Sequence, residues 1–126
     1  MLLFAYSIII KRENLIFCFS SIRPEKALEV CNALDKVGKF GVTLSQVEGH
    51  GDQKGWINHV RGISHKVSLL SKTRVEVVVK DEDADKIVKA ILDAALTGEV
   101  GDGKIFVHDI ANAIRIRTKE SGMAAL

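Results

Sequence analysis

Two stretches of helical periodicity separate short apolar runs along the chain. The apolar runs predict strands at residues 16–22, 42–47, 74–80, 105–108 and 114–116. Between the first two strands, apolar positions recur at helical spacing over 27–37, with Pro24 in the first turn and Gly38 at the end. Between the third and fourth strands, the same spacing predicts a second helix, which Asp81 is expected to cap and Gly98 to end.

A strand–helix–strand unit that occurs twice predicts an α+β fold. The expected form is a ferredoxin-like βαββαβ sandwich with a long loop between strands 2 and 3. At 126 residues the chain has the size of one domain. Both helices are expected on one face of the antiparallel sheet. The other face needs a cover, most economically further copies of the same chain, so we expect an oligomer.

The segment 52–71 joins the second and third strands and is far longer than the few residues that a hairpin needs. It contains glycines, cations, histidines and one tryptophan, among them Gln53-Lys54-Gly55, Trp56 and Arg61-Gly62. Long loops on compact domains are usually functional or disordered, and the residues alone leave both interpretations open.

The composition excludes several classes of protein. With 47% hydrophobic residues and one proline, the chain is not intrinsically disordered. A formal net charge of +2 provides no strong basic field for a nucleic acid partner. The two cysteines form no C-x-x-C motif, which argues against a zinc ribbon or a disulfide scaffold and favours a cytoplasmic protein.

An apolar run over residues 1–10 opens the chain and is followed by Lys11-Arg12. The run is too short to span a bilayer, and no basic residue precedes it as in a signal peptide. We therefore expect residues 1–14 to be an N-terminal extension, either an extra edge strand or a segment that the cell does not translate. The domain itself is expected at 15–126.

Four motifs contain residues that are suited to binding phosphate. The glycine clusters at 49–55 and 97–104 each include a lysine, and glycine lets backbone N–H groups approach an anion. Arg115 and Arg117 are expected on one face of the last strand, where two guanidinium groups suit a triphosphate. Lys72 stands at the return of the long loop. Plain glycine turns and a solvated basic edge remain alternatives for these motifs.

The sequence shows no arrangement typical of catalysis, neither a nucleophile elbow nor an H-E-x-x-H motif, so we do not expect an enzyme. His50, His59 and His65 could gather with Asp52 around a metal ion. Their spacing matches no standard metal site, and loop histidines are more often simply solvated.

Together these motifs make residues 15–126 closely resemble the PII signal-transduction proteins, a family of nitrogen-regulatory trimers. The resemblance rests on six segments: IRP at 22–24, GHGDQKG at 49–55, RG at 61–62, VEVVV at 75–79, TGEVGDGKIFV at 97–107 and IRIRT at 114–118. It implies a homotrimer with clefts between neighbouring subunits that bind ATP or ADP. Residues 1–14 have no counterpart in the family, whose initiator methionine aligns with Leu15.

The resemblance also implies which residues bind which ligand. The implied nucleotide-binding residues are Thr43, Gly51, Gln53, Val78, Gly101, Asp102, Gly103, Lys104, Arg115 and Arg117. The implied 2-oxoglutarate site consists of Gln53, Lys54, Gly55 and Lys72, and Gln53 would also hold Mg²⁺ beside the ATP phosphates. Because the metal needs triphosphate oxygens, 2-oxoglutarate is expected to bind well only beside Mg-ATP.

Members of the family dock on partner proteins through the loop that aligns with 52–71, the T-loop. Trp56 and Arg61 are the expected partner residues, and Arg61 matches an arginine that enters the pore of an ammonium transporter in channel-regulating members. The membrane would thus be contacted only through a transporter, and no nucleic acid partner is expected.

The loop departs from the family in two places. His65 stands where the family has a modifiable tyrosine, and Asp52 replaces a basic residue that is common beside the glutamine. These departures leave an alternative open, a PII-like regulator with a different effector or target, such as a metal- or bicarbonate-linked transporter.

Overall fold

The computed structural model describes residues 14–51 and 69–126 together with the backbone of 57–60 and 63–66. The strands are β1 (Leu15–Ile22), β2 (Val42–Gly49), β3 (Ile57–Val60), β4 (Ile63–Lys66), β5 (Leu70–Lys80) and β6 (Ile105–Ile110). The helices are α1 (Ala27–Val37) and α2 (Asp81–Ala95), and short 3-10 turns span Pro24–Lys26 and Gly122–Ala125.

The main sheet has four strands in the order β2-β5-β1-β6, and every neighbouring pair is antiparallel. The first and last core strands are therefore neighbours, and β5 lies between β2 and β1. This is the connectivity of the ferredoxin-like sandwich, so the predicted α+β fold is confirmed.

The core lies between the sheet and the two helices. Alternate residues of β1 and β5 are buried on this side, including Cys18, Val75 and Val77. The helices contribute the apolar stripes that their periodicity predicts: Val30 and Leu34 from α1, and Ala84, Ile87, Ile91 and Ala95 from α2. The buried faces of the strands and of the helices thus form one hydrophobic cluster, as strand alternation and helical periodicity predict.

The helix ends differ in part from the prediction. Gly38 ends α1 as expected and donates its backbone N–H to the carbonyl of Leu34 at 3.2 Å. Asp81 is not the cap of α2 but its first residue, because the extended backbone of Lys80 (φ −68°, ψ 150°) occupies the cap position. The backbone N–H of Asp81 bonds the carbonyl of Asn14 at 3.0 Å. The same helix ends at Ala95, and Gly98 belongs to the following loop with φ +85°.

The predicted last strand at 114–116 is wrong. The described chain has only one bridge there, between Ile114 and Ser121, and the segment turns back on itself. The backbone N–H of Lys119 bonds the carbonyl of Arg115 at 2.8 Å, and Lys119 takes φ +60°. Isoleucines that favour a strand therefore flank a tight turn.

The long segment between β2 and β5 has structure that the sequence did not predict. β3 and β4 pair as an antiparallel two-stranded sheet, with Ile57 opposite Lys66 and Val60 opposite Ile63. β5 begins at Leu70, inside the range expected to be loop. The T-loop segment therefore carries a hairpin of its own.

The second face of the main sheet carries an aromatic cluster, defined here as Phe17, Phe19, Phe106 and His108. Phe19 stacks on Phe106 with ring centroids 4.9 Å apart and on His108 at 5.5 Å. The guanidinium of Arg74 lies 4.4 Å from the centroid of the Phe19 ring. These residues alternate with the buried ones and so point away from the helices, and Phe106 stays 45% exposed.

Neither helix within the described ranges is long and apolar enough to cross a membrane.

Candidate functional site

Two clefts hold most of the described candidate residues. The first, called the loop cleft, has a volume of about 510 Å³ and lies between 49–51, the start of β5 and the loop at 99–104. The second, called the tail cleft, has about 630 Å³ and lies between 39–43, the end of β5 and the C-terminal segment.

The loop cleft brings together Gly51, Lys72 and the run 101–104. The first two come from opposite ends of the T-loop segment, and the run comes from the α2–β6 connection. The pairing of β2 with β5, in which Val47 faces Lys72, brings these chain segments together. A lysine and a glycine loop from separate motifs therefore face one space, as an anion site requires.

The loop between α2 and β6 is organised around the carboxylate of Asp102. One oxygen, Oδ2, accepts the backbone N–H groups of Thr97 and Gly98, each at 2.9 Å. The other, Oδ1, accepts the Thr97 hydroxyl and the Nε–H of Arg23, the latter at 3.0 Å. The hydrogen bonds from Thr97, then those from Arg23 and Gly98, hold the pKa of Asp102 far below its ordinary value. Asp102 is thus an anion at every physiological pH and stabilises the loop internally.

Gly103 allows the loop to touch the end of β1. Its φ is +89°, and a Cβ at this position would lie 1.9 Å from the carbonyl oxygen of Ser21. No side chain fits at that distance, so glycine is required by both backbone conformation and contact. The TGEVGDGK motif therefore depends on glycine for the fit of the loop against the sheet.

Arg23 is a residue of this site that the sequence reading did not identify. Its guanidinium bonds Asp102 as described, and its Nη2 donates to the carbonyl oxygen of Val100 at 2.8 Å. The partners lie 77 and 79 positions away along the chain, so no local pattern could reveal them. The sequence signal for it was its place in the IRP segment at 22–24, which carries part of the family resemblance.

Lys72 projects into the loop cleft from β5. Its ammonium donates to the carbonyl oxygen of Gly101 at 2.6 Å. Burial, with help from the positive charge of Arg23, lowers the pKa of Lys72 below its ordinary value. Gly49 lies against its aliphatic stem, since a Cβ there would be 3.3 Å from Cγ of Lys72. The lysine is therefore held at the junction of the T-loop segment and the glycine loop.

The tail cleft contains Thr43, Val78 and Arg115. Thr43 lies opposite Glu76 in the sheet, so the threonine and valine are neighbours on the outward face of adjacent strands. Arg115 reaches the cleft because its side chain donates to the carbonyls of Ala125, at 3.3 Å, and Leu126, at 2.8 Å. The cleft thus combines an apolar wall with three cations, Lys39, Lys80 and Arg115.

The two C-terminal arginines are not a matched pair. Arg115 is half-buried in the tail cleft, whereas Arg117 is exposed and lines neither cleft. The expectation that both side chains share one face of a strand is wrong, because the segment forms a turn instead. Arg117 keeps its prediction as a phosphate ligand only through the family resemblance.

Several candidates lie outside the described residues: Gln53, Lys54, Gly55, Trp56, Arg61 and Asp52. The side chains of His59 and His65 are not described either. Among the residues that the structure does describe, no group of three or more histidine, cysteine or carboxylate side chains could hold a metal ion. Lys104 and Gly103 do line the loop cleft as expected.

Comparison with known proteins gives one consistent result. The family model described as nitrogen regulatory protein P-II matches residues 21–120. Nitrogen regulatory protein P-II 2 of Methanothermobacter thermautotrophicus is 48% identical over 105 residues, which cover 83% of this chain and 91% of the relative. Nitrogen regulatory protein P-II 1 of Escherichia coli K12 is 46% identical over 105 residues, 83% of this chain and 94% of the relative.

Solved structures agree with these sequence relatives. The B. subtilis GlnK-ATP complex superposes with a TM-score of 0.73 at 30% identity, covering 90% of this chain and 98% of that one. Arabidopsis thaliana PII bound to citrate gives a TM-score of 0.74 at 33% identity, covering 95% and 99%. The chain belongs to the nitrogen regulatory protein P-II family, whose members are regulatory signal transducers and not enzymes.

Proposed function

We propose that this regulator senses ATP or ADP together with 2-oxoglutarate and reports their levels by docking its T-loop on a partner protein. The observation that carries the proposal is the loop cleft, where Lys72 meets the glycine loop at 101–104. Backbone N–H groups, Lys104 and Lys72 suit an anionic ligand. A relative described as a GlnK-ATP complex supports the nucleotide assignment.

The nucleotide is proposed to lie between two copies of the chain. Phosphates would sit in the loop cleft of one copy, against Gly101, Gly103 and Lys104. The adenosine would contact Thr43 and Val78 in the tail cleft of its neighbour, and Arg115 would reach the phosphates from that side. The division of the candidates into two clefts supports this arrangement, since each cleft holds only part of a nucleotide site.

A homotrimer is proposed as the assembly that completes these sites. The aromatic cluster leaves an apolar face on the sheet, and such faces are normally covered by another layer. Rings of identical subunits cover such a surface on every chain. The assembly is proposed to work in the cytoplasm.

Lys72 is the proposed cation for 2-oxoglutarate, with the backbone at 53–55 completing the site. A relative described as PII bound to citrate supports the class of ligand, a small polycarboxylate. Effector binding would bring a carboxylate to the Lys72 ammonium, which in the structure donates to the carbonyl of Gly101. Because Lys72 also lies at the root of the T-loop segment, effector binding would alter that segment.

Mg²⁺ is proposed to link nucleotide and effector, with Gln53 as its protein ligand. The described residues fit this only in part, because the carboxylate of Asp102 is already engaged by Thr97, Gly98 and Arg23. The ion, when bound, would take its other ligands from phosphate and keto-acid oxygens. The described protein would contribute the surrounding cations, Lys72 and Lys104.

The T-loop segment is the proposed docking element, and an ammonium transporter is the proposed target. The β3–β4 hairpin gives this segment a defined shape that a partner could recognise. Trp56 and Arg61, the proposed contact residues, flank β3.

Calorimetric titration tests this function. ATP is added first and 2-oxoglutarate second, with and without Mg²⁺, to the native protein, to Lys72→Ala and to the distant surface control Lys36→Ala. We expect 2-oxoglutarate to bind only with Mg-ATP, and Lys72→Ala alone to abolish it. Nucleotide binding without any response to 2-oxoglutarate would favour the alternative effector, with metal ions and bicarbonate titrated next. Absence of nucleotide binding would refute the proposal.

A further inference from the structure

The loop cleft contains an electrostatic conflict. Asp102 is a permanent anion within the loop that is proposed to hold phosphates, and like charges at short range repel. The loop cannot dispense with the carboxylate, since it accepts hydrogen bonds from Thr97 and Gly98. Some other group must offset its charge without removing these bonds.

We infer that Arg23 is a positioning residue that fixes the glycine loop through Asp102 and neutralises this carboxylate beside the bound phosphates. It does so without touching the nucleotide. The inference rests on the proposed function in naming phosphate as the ligand. The contacts that hold the loop do not depend on that assignment.

The planar guanidinium of Arg23 donates hydrogen bonds in two directions. Nε–H points to Asp102 Oδ1 and Nη2 to the carbonyl of Val100, so one planar group ties two points of the same loop. The side chains of Arg23 and Asp102 are only 15% and 21% exposed, which shields the pair from water. A lysine could supply the charge at this position but not both directed bonds.

The backbone at Arg23 is also held in place, by its own conformation and by a hydrogen bond. Residue 23 has φ −60° and ψ 135°, the extended conformation that a following proline favours. Its carbonyl accepts the backbone N–H of Lys26 at 3.0 Å, which starts the 3-10 turn. The guanidinium is therefore presented to the loop from a rigid corner of the fold.

This role predicts a loss of affinity that grows with the charge of the ligand. Arg23→Gln removes the cation that is hydrogen-bonded to Asp102, so we expect ATP to bind roughly 10- to 100-fold more weakly, as for loss of a charge-assisted bond. ADP should lose less and AMP only about 2-fold. Arg23→Lys should fall between native protein and Arg23→Gln.

A double-mutant cycle separates this role from direct phosphate binding. Affinities for ATP, ADP and AMP are measured on native protein, Arg23→Gln, Asp102→Asn and the double variant, with Lys26→Gln as a control that removes a nearby surface charge. We expect Arg23→Gln to have little further effect in the Asp102→Asn background, and Lys26→Gln to have none. Equal losses for ATP and AMP, or an undiminished loss in the Asp102→Asn background, would overturn the inference.

Hydrogen exchange measured without nucleotide tests the positioning role of Arg23 independently of the proposed function. Backbone N–H groups of Thr97 and Gly98 bond Asp102, so their hydrogen exchange reports how firmly the loop is held. We expect faster exchange at both positions in Arg23→Gln, and unchanged exchange in the core strands. Unchanged exchange at Thr97 and Gly98 would refute the positioning role even if ATP binds. Failure of the native protein to bind ATP would refute the proposed function and leave this readout valid.

Discussion

Replacing Gly103 with alanine tests how the glycine loop is fitted to the sheet. A Cβ at Gly103 would lie 1.9 Å from the Ser21 carbonyl oxygen, whereas real contacts are almost never under 3.0 Å. The loop must therefore retreat by at least about 1 Å, and overpacking of this kind typically costs about 1–3 kcal/mol. The positive φ adds about 1–2 kcal/mol for a residue with a side chain. Together these give about 2–5 kcal/mol of lost stability.

The assay is thermal unfolding by circular dichroism at one fixed protein concentration, because assembly would make the Tm depend on concentration. For a chain of this size, each kcal/mol corresponds to about 4 °C, so Gly103→Ala should lower the Tm by roughly 8–20 °C.

Two matched glycines separate the causes of this loss. Gly98 also has a positive φ, +85°, but a Cβ there would meet nothing within 4 Å. Gly98→Ala should therefore lower the Tm by only about 4–8 °C, the contribution of φ alone. Gly41 has neither a positive φ nor a neighbour within 4 Å, so Gly41→Ala should leave the Tm nearly unchanged. A Gly103→Ala protein as stable as Gly98→Ala would refute the steric argument.

Three further predictions concern assembly, acid and thiol chemistry. Phe106→Lys should dissociate the proposed oligomer in analytical ultracentrifugation, while Val107→Lys, on the opposite face of β6 and 52% exposed, should not. Equal effects would exclude the aromatic face as the interface. Because the pKa of Asp102 is lowered, its contribution to loop stability is complete above the ordinary value of 3.8 and is lost only as the pH falls through the lowered pKa. Protection of the Thr97 and Gly98 amides from exchange, corrected for intrinsic rates, should thus be constant from pH 8 to 5, and a decline in that range would contradict the assignment. Cys31 should react with a thiol reagent in the native protein. Cys18 is buried, which raises its pKa, and should react only after unfolding. Mass spectrometry of the labelled peptides shows which cysteine has reacted.

Local sequence pattern was sufficient for the sandwich itself. The apolar run over 74–80 predicted the strand in which Val75, Val77 and Val79 are buried, and helical spacing predicted α2 with its buried stripe. These features depend on residues close in sequence, whose periodicity reflects which side faces the core. Gly38 likewise ended α1 as a local rule predicts.

Local pattern failed where distant contacts decide the structure. The bond between Arg23 and Asp102 joins residues 79 positions apart, so no local pattern could show that Arg23 belongs to this site. Arg115 and Arg117 looked like one strand face, but the positive φ of Lys119 and the turn at Gly122–Ala125 reverse the chain. The hairpin of β3 and β4 was hidden because its short strands lie among polar residues without an alternating apolar face.

The length of β5 determines how many complete binding sites an assembly of these chains can contain. Lys72 in the loop cleft and Val78 in the tail cleft lie on the same strand, separated by roughly 20 Å at 3.3 Å per residue. Arg74 and Glu76 fill the interval with an ion pair of 2.7 Å. A small ligand that contacts both kinds of cleft closely must therefore draw them from different chains. In a closed ring the number of complete sites then equals the number of chains. An open row of copies has one complete site fewer than it has chains. The binding stoichiometry per chain thus reports whether the ring is closed.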